Sequence, residues 1–269
     1  MFVDSHCHLS FPELHGRIDA VREAMRAAAV DAALCICTTL EEFDAVHGLA
    51  LAHPDLWATV GLHPDNEGVA EPTLDDLQRR AARPKVVGIG ETGLDYYRLA
   101  GRSIADMEWQ RQRFRVHIRA ARASGLPLVV HTRSAGDDTI RLLREEGQGQ
   151  VAGVLHCFTE TQAVADAALD LGLYISFSGI LGFKNAEALR EVARRVPLER
   201  CLIETDSPYL APPPYRGKVN QPAYVRHVAE HLAVVKGCPI EEVGRITSAN
   251  FSRLFSRTGG SASASGKSE

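Results

Sequence analysis

Residues 1–9 read MFVDSHCHL, a short apolar start that runs into two histidines two positions apart. Seven further short apolar runs follow along the chain, and patterns typical of amphipathic helices lie between them. The eight runs end near positions 6, 37, 61, 91, 131, 156, 178 and 204. The spacing is about 28 residues, the size of one strand and one helix in a parallel barrel.

The repeat predicts an α/β fold, a single (β/α)8 TIM-like barrel over residues 1–257. The strand-like runs are apolar nearly throughout, as expected for parallel strands that are buried on both faces. A doubly wound open sheet is the alternative fold. Residues 258–269 are small and polar, which predicts a disordered Gly/Ser-rich tail.

The composition limits the classes of function. The 269 residues carry a formal net charge of −4, so a contact with nucleic acid would require a local basic surface. The start of the chain lacks the basic and apolar regions of a signal peptide, and no apolar run is long enough to cross a membrane. We therefore expect a cytoplasmic protein with no membrane association and no obligate protein partner. The six cysteines include no C-x-x-C pair and are expected to be reduced, mostly buried thiols.

Residues that can bind a metal lie where the predicted strands end, which is the rim that carries catalytic groups in TIM barrels. In an extended strand, residues i and i+2 face the same side, so His6 and His8 can reach one ion while Cys7 faces away. Asp4 shares the face of the histidines and is a candidate to support them. The other rim candidates are His63, Glu91, His131, His156, Glu204 and Asp206.

The number of candidate ligands predicts the number of ions. Four imidazoles, from His6, His8, His131 and His156, and two carboxylates, from Glu91 and Asp206, exceed what one tetrahedral ion requires. We therefore expect two divalent ions. Imidazole ligands suit zinc or manganese better than magnesium.

The ordered set of motifs resembles the TatD family of metal-dependent hydrolases, within the amidohydrolase-like barrels. The motifs are DSHCHL (4–9), VGLHP (60–64), GIGETGLDYYR (88–98), VVHTR (129–133), LHCFT (155–159), YISFSG (174–179) and IETDSPYLAP (203–212). The resemblance implies a TIM-like barrel with deoxyribonuclease activity, commonly associated with magnesium. It further implies one ion at His6, His8 and Asp206, a second at His131 and His156, and a bridge between them at Glu91.

The motifs also suggest catalytic and substrate-binding residues. Asp206 would orient the attacking water and take its proton, with Glu204 as a supporting group or a further metal ligand. The candidates for contact with substrate are Arg133, His63, Ser178 and Tyr96. Each has a structural alternative: a salt bridge for Arg133, a strand cap for His63, a turn for Ser178 and a buried ring for Tyr96. The chain has Val219 and Gln221 in RGKVNQP, where the family usually has RGKRNEP.

The first functional hypothesis is a two-metal deoxyribonuclease with DNA as substrate, acting as a 3′–5′ exonuclease on single strands. The alternative keeps the barrel and the ions but hydrolyses an ester or amide, as a D-aminoacyl-tRNA deacylase does. A third possibility is a metal-holding interaction module without activity.

Overall fold

Eight parallel strands form one sheet in chain order in the computed structural model, which describes residues 1–261. The strands are β1 (Phe2–Cys7), β2 (Val30–Cys35), β3 (Leu56–Val60), β4 (Val86–Asp95), β5 (Leu128–Arg133), β6 (Gly153–Leu155), β7 (Tyr174–Phe177) and β8 (Cys201–Ile203). A parallel bridge between Cys7 and Ser207 joins the end of β1 to the chain after β8. The sheet therefore nearly closes into a barrel, and the predicted fold class is confirmed over an open sheet.

Helices follow the strands and surround the barrel. They are α1 (Pro12–His15), α2 (Ile18–Ala27), α3 (Phe43–Ala52), α4 (Leu74–Ala81), α5 (Glu108–Ser124), α6 (Gly136–Gly147), α7 (Gln162–Asp170), α8 (Glu187–Arg195), α9 (Val225–Lys236) and α10 (Ile240–Leu254). Within residues 1–261, no helix has the length and apolar character needed to cross a membrane.

The last helix closes one end of the barrel. Inward-facing strand residues pack against Phe251, Leu254 and Phe255, and they include Leu34, Trp57, Val87, Val129, Val154, Tyr174 and Leu202. The amide of Asn250 donates to the carbonyl of Cys201, at the start of β8, at 2.9 Å. Because α10 covers the amino ends of the strands, a functional site can form only at their carboxyl ends.

The chain beyond α10 continues as a short 3₁₀ helix, Ser256–Ser261. The predicted tail began at residue 258, so its first four residues belong to this helix. Its other residues, 262–269, lie outside the described part of the chain. The division into a domain and a tail stays a prediction.

Backbone hydrogen bonds close the seam between β1 and the chain after β8. The amide of Asp206 donates to the carbonyl of His6 at 2.9 Å, and the amide of His8 donates to the carbonyl of Ser207 at 2.8 Å. The carboxylate of Asp4 accepts from the amide of Thr205 at 2.9 Å, and burial raises the pKa of Asp4 to about 8. Asp4 therefore fastens the seam, and it makes no hydrogen bond to the imidazoles that it was expected to support.

The cysteines are all free thiols, as predicted. Cys7, Cys35, Cys37 and Cys201 are buried. The thiol of Cys7 donates to the carbonyl of Leu34 at 3.3 Å. The side chain between the two histidines therefore packs in the barrel wall, as the alternation of β1 predicts.

Candidate metal centre

Glu91 lies at the centre of the site, with its side chain 3% exposed. Its Oε2 atom is 3.2 Å from His6 Nε2. Its Oε1 atom is 2.8 Å from His156 Nε2 and 3.2 Å from both His63 Nε2 and His131 Nδ1. One carboxylate thus faces two sets of imidazoles with its two oxygens.

Two glycines of β4 bring the strand close enough to β5 to place Glu91 there. Gly90 and Gly93 have φ angles of +148° and +137°, which side chains of L-residues rarely allow. A Cβ atom at Gly90 would collide with the backbone of Val129, and one at Gly93 with that of His131. The glycines of GIGETG therefore provide room for the backbone around Glu91.

The first candidate ion site lies between His6, His8, Glu91 and Asp206. His6 Nε2 is 3.3 Å from His8 Nε2, 3.2 Å from Glu91 Oε2 and 3.5 Å from Asp206 Oδ1. His8 Nε2 is 3.3 Å from Asp206 Oδ1. Ligand atoms around a tetrahedral zinc with metal–nitrogen bonds of about 2.1 Å are roughly 3.4 Å apart. These four side chains fit one divalent cation by spacing and by chemistry.

The second candidate site groups Glu91 with His63 and His131. His156 lies between the two sites, because its ring stacks on that of His6 at 3.8 Å and its Nε2 faces Glu91. The spacing also groups His156 with His6 and Asp206. His131 Nδ1 and His156 Nε2 both face Glu91 Oε1, and their expected pairing at one ion stays a prediction. His63, expected at the substrate, also lies among the candidate ligands.

Two carboxylates hold the far nitrogens of these histidines. His131 Nε2 donates to Asp95 Oδ2 at 3.0 Å, and His156 Nδ1 donates to Glu204 Oε1 at 3.2 Å. Each bond leaves the other ring nitrogen to face the site. In a strand of period two, Asp95 lies on the same face as Glu91 and Gly93. This spacing could have predicted from the sequence that Asp95 supports a ligand of the site.

Glu204 is fully buried beside His156 and does not line the cleft. A catalytic or supporting role for Glu204 stays a prediction, and its contact with His156 favours the supporting one. Within residues 1–261, its Oε2 atom has no hydrogen-bond partner, and neither do the Nδ1 atoms of His6 and His8.

The carboxylates and imidazoles of the site shift one another's pKa values. Burial alone would raise the pKa of Asp206, but the hydrogen bond to His8 and the neighbouring imidazoles outweigh it and hold the pKa below its usual range. The pKa of Glu91 is likewise low, because the charges of surrounding imidazoles outweigh burial. Burial, together with His156, lowers the pKa of His6 and favours the neutral form. Neighbouring carboxylates, by contrast, outweigh burial and raise the pKa of His8, His131 and His156. Ionised carboxylates and neutral imidazoles are the forms that coordinate cations, so a bound cation would displace protons from these three rings.

A cleft of about 790 Å³ opens over these residues. Arg133 and His63 line it, as predicted for groups near a substrate, and Arg98 and Tyr209 line it as well. The Val219 and Gln221 positions flank Asn220, which is buried and donates to the carbonyl of Thr205 at 2.9 Å.

Two predicted substrate contacts lie outside the cleft. Tyr96 is buried, and its hydroxyl donates to Asp138 Oδ2 at 2.7 Å. Ser178 is buried and accepts from the amide of Ile180 at 3.5 Å, where the chain leaves β7 for a 3₁₀ helix. Both side chains therefore already make hydrogen bonds inside the fold. The neighbouring Tyr97 is exposed.

Comparison with known proteins agrees with the barrel fold. The family model described as "TatD related DNase" matches residues 3–256. The chain belongs to the TatD family. Family membership makes it a metal-dependent hydrolase, and the resemblance of its motifs is confirmed.

Individual relatives of this TatD-family chain cover nearly all of its length. The Escherichia coli K12 protein named "Uncharacterized metal-dependent hydrolase YcfH" is 48% identical over 257 residues, which cover 94% of this chain and 95% of that protein. An Erwinia tasmaniensis protein named "3'-5' ssDNA/RNA exonuclease TatD" is 34% identical over 246 residues, 88% of this chain and 93% of that protein. The crystal structure of the E. coli TatD homologue YjjV superposes with a TM-score of 0.87 at 28% identity, covering 95% and 98% of the two chains.

Proposed function

We propose that this chain is a divalent-metal-dependent phosphodiesterase that removes nucleotides from the 3′ end of single-stranded DNA with two bound ions. The observation that carries the proposal is the position of Glu91, whose two oxygens face two separate groups of imidazoles. A carboxylate in that position suits a bridge between two cations.

The residues divide by position. His6, His8 and Asp206 would hold one ion, His63 and His131 the other, and His156 lies within reach of both. When bound, magnesium, manganese or zinc would polarise the phosphodiester and lower the pKa of an attacking water.

Asp206 is suited to accept a proton from the attacking water. It is held ionised and its side chain is 17% exposed, so solvent and substrate can reach it. The hydrogen bond with His8 at 3.3 Å orients the carboxylate. Its left-handed backbone, with φ of +55°, is held by the seam hydrogen bond to His6.

Two features support DNA as the substrate. Arg98 and Arg133 give the cleft local positive charge on a chain whose formal net charge is −4. The Erwinia relative, at 34% identity, is named for 3′–5′ exonuclease activity on single-stranded DNA and RNA.

Oligonucleotides labelled at either end test the proposal. The purified protein should release mononucleotides from the 3′ end with added Mg²⁺, Mn²⁺ or Zn²⁺, and should lose this activity after chelation or in Asp206→Asn. Asp75→Asn is the matched control, because Asp75 is an exposed carboxylate on α4. Degradation that persists in D206N contradicts the proposal. Release of amino acid from a D-aminoacyl-tRNA, without release of nucleotides, would instead identify an ester hydrolase.

A further inference from the structure

Two arginines of the cleft have guanidinium groups that make no polar contact with the rest of the described chain. Among the residues that the structure describes, neither Arg98 nor Arg133 has a side-chain hydrogen bond or an ion pair with a carboxylate. Arg113, by contrast, pairs with Glu71 at 2.5 Å and donates to the carbonyl of His63. A guanidinium with unused N–H groups at the edge of a cleft suits an anionic ligand.

Arg133 lies over the ring of Tyr97, with its Cζ atom 3.8 Å from the ring centroid. Tyr97 is 61% exposed, whereas the adjacent Tyr96 is buried. An aromatic ring that is open to solvent beside an arginine provides the two features that bind single-stranded nucleic acid, a surface for base stacking and a positive charge for phosphate.

Asp95 connects this ring to the metal centre. Its Oδ1 atom accepts from the backbone amide of Tyr97 at 2.9 Å, and its Oδ2 atom accepts from His131 Nε2 at 3.0 Å. Residues 95–97 therefore form a turn whose position is tied to a candidate metal ligand. A base stacked on Tyr97 would lie at a set position relative to the ions.

We propose that Tyr97 and Arg133 form a stacking platform for an unpaired base of the substrate strand, and that Arg98 and Arg133 contact the adjoining phosphates. The platform rests on the proposed function and gives it a basis for preferring single strands. A base within a duplex already stacks on its neighbours and is not free to stack on the ring.

Binding and kinetics of Tyr97→Ala and Tyr97→Phe test the platform. A fluorescent single-stranded oligonucleotide with phosphorothioate linkages, which resist hydrolysis, measures the dissociation constant by anisotropy. Y97A should weaken binding about tenfold, as expected for one lost stacking contact, whereas Y97F should bind like the wild type. Arg133→Lys should also weaken binding, because an ammonium group lacks the planar face. Val234→Ser is the matched control, since Val234 is 82% exposed and lies outside the cleft.

Kinetics separate a platform from a general role in folding. In Y97A, KM should rise more for the oligonucleotide than for a chromogenic phosphodiester that carries no base. Equal binding by Y97A and wild type, equal losses on both substrates, or a wild type that does not bind the strand would each overturn the platform.

The two proposals fail in different ways. If the wild type binds the strand with dependence on Tyr97 but hydrolyses no phosphodiester, the platform stands and the nuclease activity is wrong. If the wild type hydrolyses DNA and Y97A binds normally, only the platform is wrong.

Discussion

Glu204 is a buried carboxylate that contacts one nitrogen of a candidate metal ligand, His156. It accepts from His156 Nδ1 at 3.2 Å, so the proton of His156 is held away from Glu91. In the neutral ring, the other nitrogen offers its lone pair to the site, which is the form needed to bind a cation.

The variant Glu204→Gln keeps the volume but removes the charge. We expect a loss of about 10- to 100-fold in affinity for Mn²⁺ or Zn²⁺, because partners of this kind raise the basicity of a ligating imidazole. Isothermal titration calorimetry on the metal-free protein measures this change. Glu199→Gln provides the control, since Glu199 is exposed. If E204Q and the wild type bind the metal with equal affinity, Glu204 does not support His156 as a ligand.

Single residues also mark the limit of prediction from sequence. The alternation in β1 correctly predicted that His6 and His8 share a face, because the period of a strand is local. No local pattern distinguishes Tyr96 from Tyr97, since their difference arises from contacts with Asp138 and with Arg133 across the sheet. His63 was recognised as a rim residue, but its 3.2 Å approach to Glu91 depends on how β3 and β4 pack.

Helix α5 holds the segment that carries His63. His117 Nε2 accepts from the amide of Leu62 at 3.0 Å, while its Nδ1 donates to the carbonyl of Arg113. One turn earlier, Arg113 donates to the carbonyl of His63 at 2.7 Å. Burial lowers the pKa of His117 from 6.5 to about 4, so the neutral ring can keep both bonds.

This low pKa makes the stability of the protein depend on pH. The unfolded chain binds a proton at His117 below about pH 6.5, and the folded chain binds it only near pH 4. His117 therefore lowers the free energy of unfolding by about 3 kcal/mol in total as pH falls from 6.5 to 4. Below pH 4 no further change comes from this residue.

His117→Gln tests this dependence, because glutamine can donate and accept but does not titrate in that range. Urea denaturation at several pH values should give a shallower decline between pH 6.5 and 4 for H117Q than for the wild type. His15→Gln, a change to an exposed histidine, is the comparison variant. Parallel curves for H117Q and wild type would show that His117 titrates normally in the fold.

The elements themselves were largely predictable, apart from their ends. Strand β4 was expected to end near position 91, but it continues to Asp95, which pairs with Arg133 of β5. That extension brings Asp95 beside His131. A pairing between strands distant in sequence produces it, so the apolar pattern of one run could not reveal it.

On the scale of the whole molecule, the candidate ligands come from β1, β4 and β5 and from the chain that follows β1, β3, β6 and β8. Ions held at such a site bind the folded state and not the unfolded chain, so they stabilise the fold by mass action. Chelation should lower the melting temperature, and re-addition of the metal should restore it.

Differential scanning fluorimetry measures this shift. At a metal concentration of about 100 times the dissociation constant, the stabilisation is about 2.7 kcal/mol. The double variant His6→Ala/His8→Ala should lose most of the response to added metal. A melting temperature that is the same with chelator and with metal would indicate that these histidines serve the fold alone.

The seam has a consequence for how the protein is made. His6 belongs to the first strand to leave the ribosome and Asp206 follows the last, and the bond between their backbones joins the two ends of the barrel. A chain that stalls before β8 has all five candidate imidazoles but lacks Asp206 and a closed wall. If an ion binds at the proposed His6 site with Asp206 as a ligand, its uptake would report that synthesis has passed β8.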